Sequence, residues 1–258
     1  MIVLQDAAIF ERLWSLILIS VRISGMVLIA PFFAAAAIST PIRVALAISM
    51  SFILTSVISI PEVDIFSGSA ALLLLREGII GLMIGLIYQL AFASVAMAGE
   101  QIAFSMGLGF ASMIDPQTGA QSPVITQFLS ILLILVFLSI EGHHVLLQQL
   151  VASYKALPIE LRFDSKVYLD IVRSAGLVFS VAILFAMPII VALLCTNLLL
   201  GLLTRVAPQM NIFSVGFPIT ILVGLALLLI LVPSLSDALS GLIELAATMT
   251  RRLILGEA

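Results

Sequence analysis

The chain has 258 residues, 62% hydrophobic and 10% charged, with a net charge of −3 and a mean hydropathy of +1.31. Soluble domains carry about 25% charged and about 45–50% apolar residues, so too few charges are present to cover a globular surface in water, and an integral membrane protein or a subunit of a very apolar assembly is expected. The negative balance offers no basic field to nucleic acid, and a single cysteine, Cys195, excludes an intrachain disulfide.

Asp6 and Glu11 precede the first apolar run and no basic stretch leads it, unlike a secretory signal, so that run is read as structure. Runs of about 20 apolar residues are long enough to cross a bilayer as helices, and six are predicted. The first, Leu13–Phe33, ends around Pro31; the second, Val44–Ile60, is stopped by Pro61. The third begins near Ala70 and continues to Met106, about twice the spanning length. Val124–Ile140 is the fourth and is expected to run on toward Leu150. Ala175–Leu200 is the fifth, with Pro188 as an expected kink; Ile212–Leu231 is the sixth, closed by Pro233. Asp237–Leu255 forms a shorter, more amphipathic tail ending in Arg251 and Arg252.

One connection is conventionally polar. Ser153–Ser174 mixes Lys155, Arg162, Lys166 and Arg173 with Glu160, Asp164 and Asp170, as a solvated loop does. With six spans these four cations fall on the same side as Arg12, Arg76, Arg251 and Arg252, against Arg43 and Arg205 on the other. The excess places both termini in the cytoplasm.

Several residues do not suit a helix surrounded by lipid. Arg22 lies in the middle of the first run, where a lone arginine costs at least ~2.5–3.5 kcal/mol; it calls for an acidic partner, a carbonyl cluster or water. Arg76 and Glu77 stand where the third helix begins and are read as interface charges. Glu100, beside Gln101 in "AMAGEQIAFSMG", faces protein or water. Gly78, Gly81 and Gly85 share one face of the third helix, which allows close approach of another backbone.

Enzymatic chemistry finds no support. Glu141, His143 and His144 form the only histidine cluster, but adjacent helical residues point about 100° apart and no third ligand stands at zinc spacing, so a polar helix end is expected. There is no phosphate-binding Gly-x-x-x-x-Gly-Lys loop and no Gly-x-Ser-x-Gly nucleophile elbow. Asp115 has no second intramembrane aspartate to pair with. No cofactor is called for.

Two interruptions divide the apolar runs. "GFASMIDPQTGAQSP", Gly109–Pro123, carries Asp115 as its only charge. Gly107 and Gly109 end the third helix, and Pro116 and Pro123 delay the next one until Val124. Greasy side chains (Phe110, Met113, Ile114) alternate there with small polar ones (Ser112, Thr118, Ser122). Irregular backbone at membrane depth is tolerated where it is buried in protein or lines a cavity. The mixture suits a surface that seals a passage and later releases it; an ordinary exposed loop is the plainer alternative. "APQMNIFSVGFPIT", Ala207–Thr220, echoes it with Pro-Gln followed by a later Pro. A pore-forming subunit and a secondary transporter for a small solute, with broken helices, both fit.

"NLLLGLLTRVAPQMNIFSVGFPIT", Asn197–Thr220, resembles the FliR family of flagellar export-gate subunits, called SctT in virulence-type type III secretion. Asn197, Leu198, Gly201, Arg205, Pro208, Gln209, Asn211 and Phe213 fall where the family pattern has them, and "GFP" at Gly216–Pro218 has a flagellar look. "RISGMVLIAPFF", "PIRVALA", "REGIIGLMIGL" and "MGLGFASMIDPQTGAQSP" extend the resemblance essentially end to end. It implies an all-α, membrane-associated fold of bent helical hairpins. A single domain over 1–258 would combine a FliP-like part, about 1–175, with a FliQ-like hairpin, about 176–258. It further implies assembly with FliP-like and FliQ-like subunits and an FlhB-like switch subunit in the bacterial inner membrane, at the flagellar basal body, in contact with lipid and with unfolded flagellar export substrates. Six apparent spans then need not be six real ones. Met106, Gly107, Gly109, Phe110, Met113, Ile114, Asp115 and Pro116 would belong to a lumen plug beneath a methionine-rich constriction of the FliP-like subunit. Arg22, Gly81, Gly85 and Glu100 would serve subunit packing, and a virulence-type secretion subunit is the related alternative.

Overall fold

A computed structural model describes residues 2–34, 38–58, 67–108, 124–157, 159, 165–207 and 216–255. Among them the regular structure is helical: α1 (Ile2–Ile29), α2 (Thr40–Leu54), α3 (Gly68–Ser105), α4 (Val124–Ser139), α5 (Gly142–Ala156), α6 (Ser165–Val206) and α7 (Phe217–Leu255). The all-α expectation holds. Among the described residues three helical stretches are long and apolar enough to cross a membrane: Arg12–Ile29, Gly68–Ser105 and Val178–Val206. Two helix pairs, 124–139 with 142–156 and 217–231 with 236–254, meet the same test if each pair counts as one broken span.

The differences from the expected six spans have local causes. The second run forms only the 15 residues of α2, too short to cross. Pro41, with its fixed φ, starts it early after extended Ser39, and it ends at Leu54 instead of reaching Pro61. The fourth run does not continue toward Leu150. It stops at Ser139, Glu141 adopts a left-handed conformation with φ 56°, and α5 begins at Gly142. The supposed polar loop is largely helical, because α5 reaches Ala156 and α6 starts at Ser165. Pro188 lies within α6 without ending it, and α7 continues through Pro233, bending between Leu231 and Ser236. Each proline removes one ladder hydrogen bond, which a long, otherwise favourable helix survives. The orientation drawn from the positive charges presupposed six spans and loses its footing.

The chain forms two compact units: Met1–Leu90 with Glu141–Arg173 and Glu244–Ala258, and Ala91–Ile140 with Ser174–Ile243. In the first, α1 buries Leu18, Ile19, Arg22, Ile23, Met26 and Val27, a stripe at helical spacing, and leaves Leu13, Ile17 and Leu28 exposed on its other side. The same unit also buries Leu73, Ile80, Ile84 and Ile87 of α3, Leu146 and Leu150 of α5, and Leu253 near the end of α7. α2 packs on α1 through a narrow stripe of Ala47, Ser51 and Leu54.

In the second unit α4 turns Ile125, Leu129, Leu133 and Phe137 inward, where Phe137 meets Phe92 edge-on at 5.9 Å. Gly99 lets α3 approach α4, since a Cβ there would come within 2.7 Å of Thr126 Cα. α6 contributes one buried stripe, Ala182, Ala186, Ile189 and Leu193; beyond it Leu194, Leu198, Leu199, Leu202, Leu203 and Val206 are exposed. A helix apolar on all sides, with one face covered, suits lipid or protein neighbours and not water.

Candidate functional site

Two clusters bring together residues singled out in the sequence. In the first unit Arg22 is wholly buried. Its Nε donates to Glu77 Oε2 at 2.6 Å, and Nη2 lies 2.6 Å from the same oxygen. Nη1 donates to Ser153 Oγ at 3.0 Å, and Nη2 to the carbonyl of Leu157 at 3.0 Å. The guanidinium carbon stands 4.1 Å from the centre of the Tyr154 ring, whose hydroxyl donates to Ile19 O at 2.9 Å. Arg76 Nη1 reaches the other Glu77 oxygen at 3.1 Å. One cation thus ties α1 to the carboxylate of α3 and to the carbonyl end of α5, where the helix dipole favours positive charge.

Arg76 and Glu77 are therefore not interface charges: both are buried. An arginine and a glutamate at apolar depth desolvate together only when each hydrogen-bonding direction is met. A second polar brace lies in the same unit. Tyr88 Oη donates to Gln149 Oε1 at 3.0 Å, and Gln149 Nε2 donates to Ala247 O at 2.9 Å, joining α3, α5 and α7.

Gly81 and Gly85 sit where α1 and α3 meet. A Cβ on Gly81 would overlap the carbonyl oxygen of Arg22, and one on Gly85 would lie 2.8 Å from Met26 O. Gly25 answers from α1, 2.7 Å from Gly78 O by the same measure. The backbone that these glycines admit belongs to the same chain, and so does the partner of Arg22. Glu100 is exposed, as are Asn197 and Arg205 on α6, and a Cβ at Gly201 would meet nothing within 4 Å.

In the second unit the end of α3 is closed by a left-handed glycine. Gly107 has φ 85°. Leu108 N donates to Ala103 O at 3.0 Å and Gly107 N to Phe104 O at 3.0 Å, the paired bonds of a Schellman cap. Met106 is fully buried, so it is a packed residue of this helix end and not part of an open loop. Gly109, Phe110, Met113, Ile114, Asp115 and Pro116 lie outside the described residues, as do Pro208, Gln209, Asn211 and Phe213.

Glu141, His143 and His144 stand at the start of α5, with His144 Nδ1 3.4 Å from Glu141 Oε2 in an exposed position. Among the described residues no three histidine, cysteine or acidic side chains converge as a metal site.

The match to known proteins covers nearly the whole of this architecture. Residues 13–246 fit the model of the bacterial export proteins, family 1. The chain belongs to the FliR family of bacterial export proteins. Curated relatives named flagellar biosynthetic protein FliR include one from Pectobacterium carotovorum, 40% identical over 238 residues, 90% of this chain and 91% of that one. The protein of Escherichia coli K12 is 35% identical over 82% of each chain, and that of Bacillus subtilis 31% identical over 96% of this chain and 97% of its own.

The position of Arg22 within an apolar run called for a partner but did not say which residues supply it. Ser153 and Tyr154 were absorbed into the polar stretch, and Glu77 was set aside as a helix-end charge. Thr220 and Gly224, which meet Met106, carried one faint signal, the small-residue positions that follow "GFP".

Proposed function

We propose that this chain is a non-catalytic, pore-forming subunit of the flagellar type III export gate, through which unfolded flagellar proteins cross the bacterial inner membrane at the basal body. Its neighbours are FliP-like and FliQ-like subunits, with an FlhB-like switch subunit beside them. The observation that carries this reading is the family match over residues 13–246 in a chain whose α6 leaves a long apolar surface uncovered. The relatives' flagellar names favour the flagellar over the virulence-type apparatus. The FliP-like part, about 1–175, and the FliQ-like hairpin, about 176–258, meet within α6, which runs unbroken from Ser165 to Val206.

In this reading the segment 109–123 is the lumen plug. It is uncharged enough to seal a passage, and Gly107 supplies the turn from which it departs. Asn197, Arg205 and Glu100, exposed on the single chain, are subunit-facing. Energy for export comes from elsewhere in the apparatus.

The test is extraction in mild detergent with the FliP-like and FliQ-like proteins co-expressed. The expected result is one stable complex, with the chain alone heterogeneous. A monodisperse monomer that binds a small solute would point to the transporter reading instead.

A further inference from the structure

Met106 is the last residue before the left-handed turn at Gly107, a position where side chains at a helix end are commonly exposed, yet it is completely buried. Its side chain lies across a bare stretch of α7. A Cβ placed on Gly224 would stand 2.6 Å from Met106 Cγ, 2.7 Å from Cε and 2.8 Å from Sδ. No other residue type leaves room for a thioether laid along the helix there.

The backbone of the same residue is held as well. The last carbonyls of a helix need partners. The cap takes Ala103 O and Phe104 O, and the Thr220 hydroxyl, 3.1 Å away, reaches Met106 O while also lying 2.9 Å from Phe217 O. Thr220 is buried and stands four residues before Gly224, one turn along the same face of α7.

From this geometry we infer that Met106, Thr220 and Gly224 form an anchor that fixes the point where the chain leaves α3 to the first turns of α7. Thr220 and Gly224 are positioning residues: they act on the following segment through Met106. The anchor stays closed during transport, and Gly107, just beyond it, takes up the backbone rotation. The functional half of this inference rests on the export-gate reading; the contact itself does not.

The experiment uses the full complex in a Cys195→Ser background, with Met106→Cys and Gly224→Cys introduced together. A cysteine sulfur at 106 would occupy the place of Met106 Cγ, in contact with a Cβ at 224, the proximity that a disulfide requires. Copper phenanthroline should close the bond in the assembled complex, and cells should swim equally well before and after reduction. Failure to crosslink in an assembled complex overturns the contact. Export blocked by oxidation and restored by reduction overturns the closed anchor, because the contact would then have to open.

A second variant separates positioning from mere packing. Gly224→Leu should expel Met106 and raise small-ion leak per assembled complex, with loss of motility; Met106→Ala added to it should recover part of both by freeing the volume. Gly224→Leu with wild-type leak and motility overturns the positioning role. If the disulfide forms yet the complex conducts nothing under any plug deletion, the gate reading fails while the contact stands.

Discussion

Arg22 and Glu77, 55 positions apart in the chain, meet through a 2.6 Å hydrogen bond with neither side chain exposed to solvent. The pair closes α1 onto α3, and Ser153 and the Leu157 carbonyl draw in α5. A buried pair of this kind adds little over a well-packed apolar substitute, but losing one partner strands the other.

Removal of Glu77 alone should therefore cost more than removal of both members of the pair. Glu77→Leu takes away the carboxylate that both Arg22 and Arg76 meet and should destabilise by about 3–5 kcal/mol. Arg22→Leu leaves Glu77 with Arg76 and should cost less, without impairing membrane insertion. Arg22→Leu with Glu77→Leu should recover much of the loss. Thermal unfolding of the detergent-purified complex measures all three; strictly additive losses would mean that the two side chains do not act as a pair.

Gly81→Ala should be among the most damaging single-methyl additions in the chain, because the added carbon overlaps the Arg22 carbonyl and backbone cannot step aside. Overpacking of this order costs about 1–3 kcal/mol. Gly241→Ala, where nothing lies within 4 Å, is the control and should be neutral. Gly201→Trp is the informative contrast. It meets nothing within the chain, so insertion should be normal, while co-purification of the FliP-like and FliQ-like partners should fall.

Gly107→Val should slow export without opening a leak. A β-branched residue resists φ 85°, at a cost of roughly 1–2 kcal/mol, and weakens the cap that ends α3. Gly107→Asn, which tolerates the left-handed region, should be milder. Swimming-halo diameter at equal complex abundance ranks the three.

Composition made the helical, membrane-borne character plain, and Arg22 announced that it needed a partner. The partner was not legible, because nothing local links position 22 to 77 or to 153. Gly107 was legible as a helix end because glycine favours the left-handed region; Glu141 does the same thing with no such signature, so the break between α4 and α5 was missed. Pro233 was read as a stop; helix resumes beyond it, but α7 bends there, between Leu231 and Ser236. The family motif directed attention to Asn197 and Arg205, whose exposure on a single chain is understandable if their contacts belong to an assembly.

If the segment after Gly107 seals a protein-conducting passage, ion conductance of the assembled complex depends on that segment. A chain lacking Gly109 to Gly119 should assemble with its partners and leak ions and small solutes. Phe110→Ala and Met113→Ala should leak less, and Thr118→Ala hardly at all, following the apolar volume each removes. A deletion complex that assembles, stays tight and abolishes motility would contradict the account, and would move the segment's role to docking of export substrate or of the FlhB-like subunit.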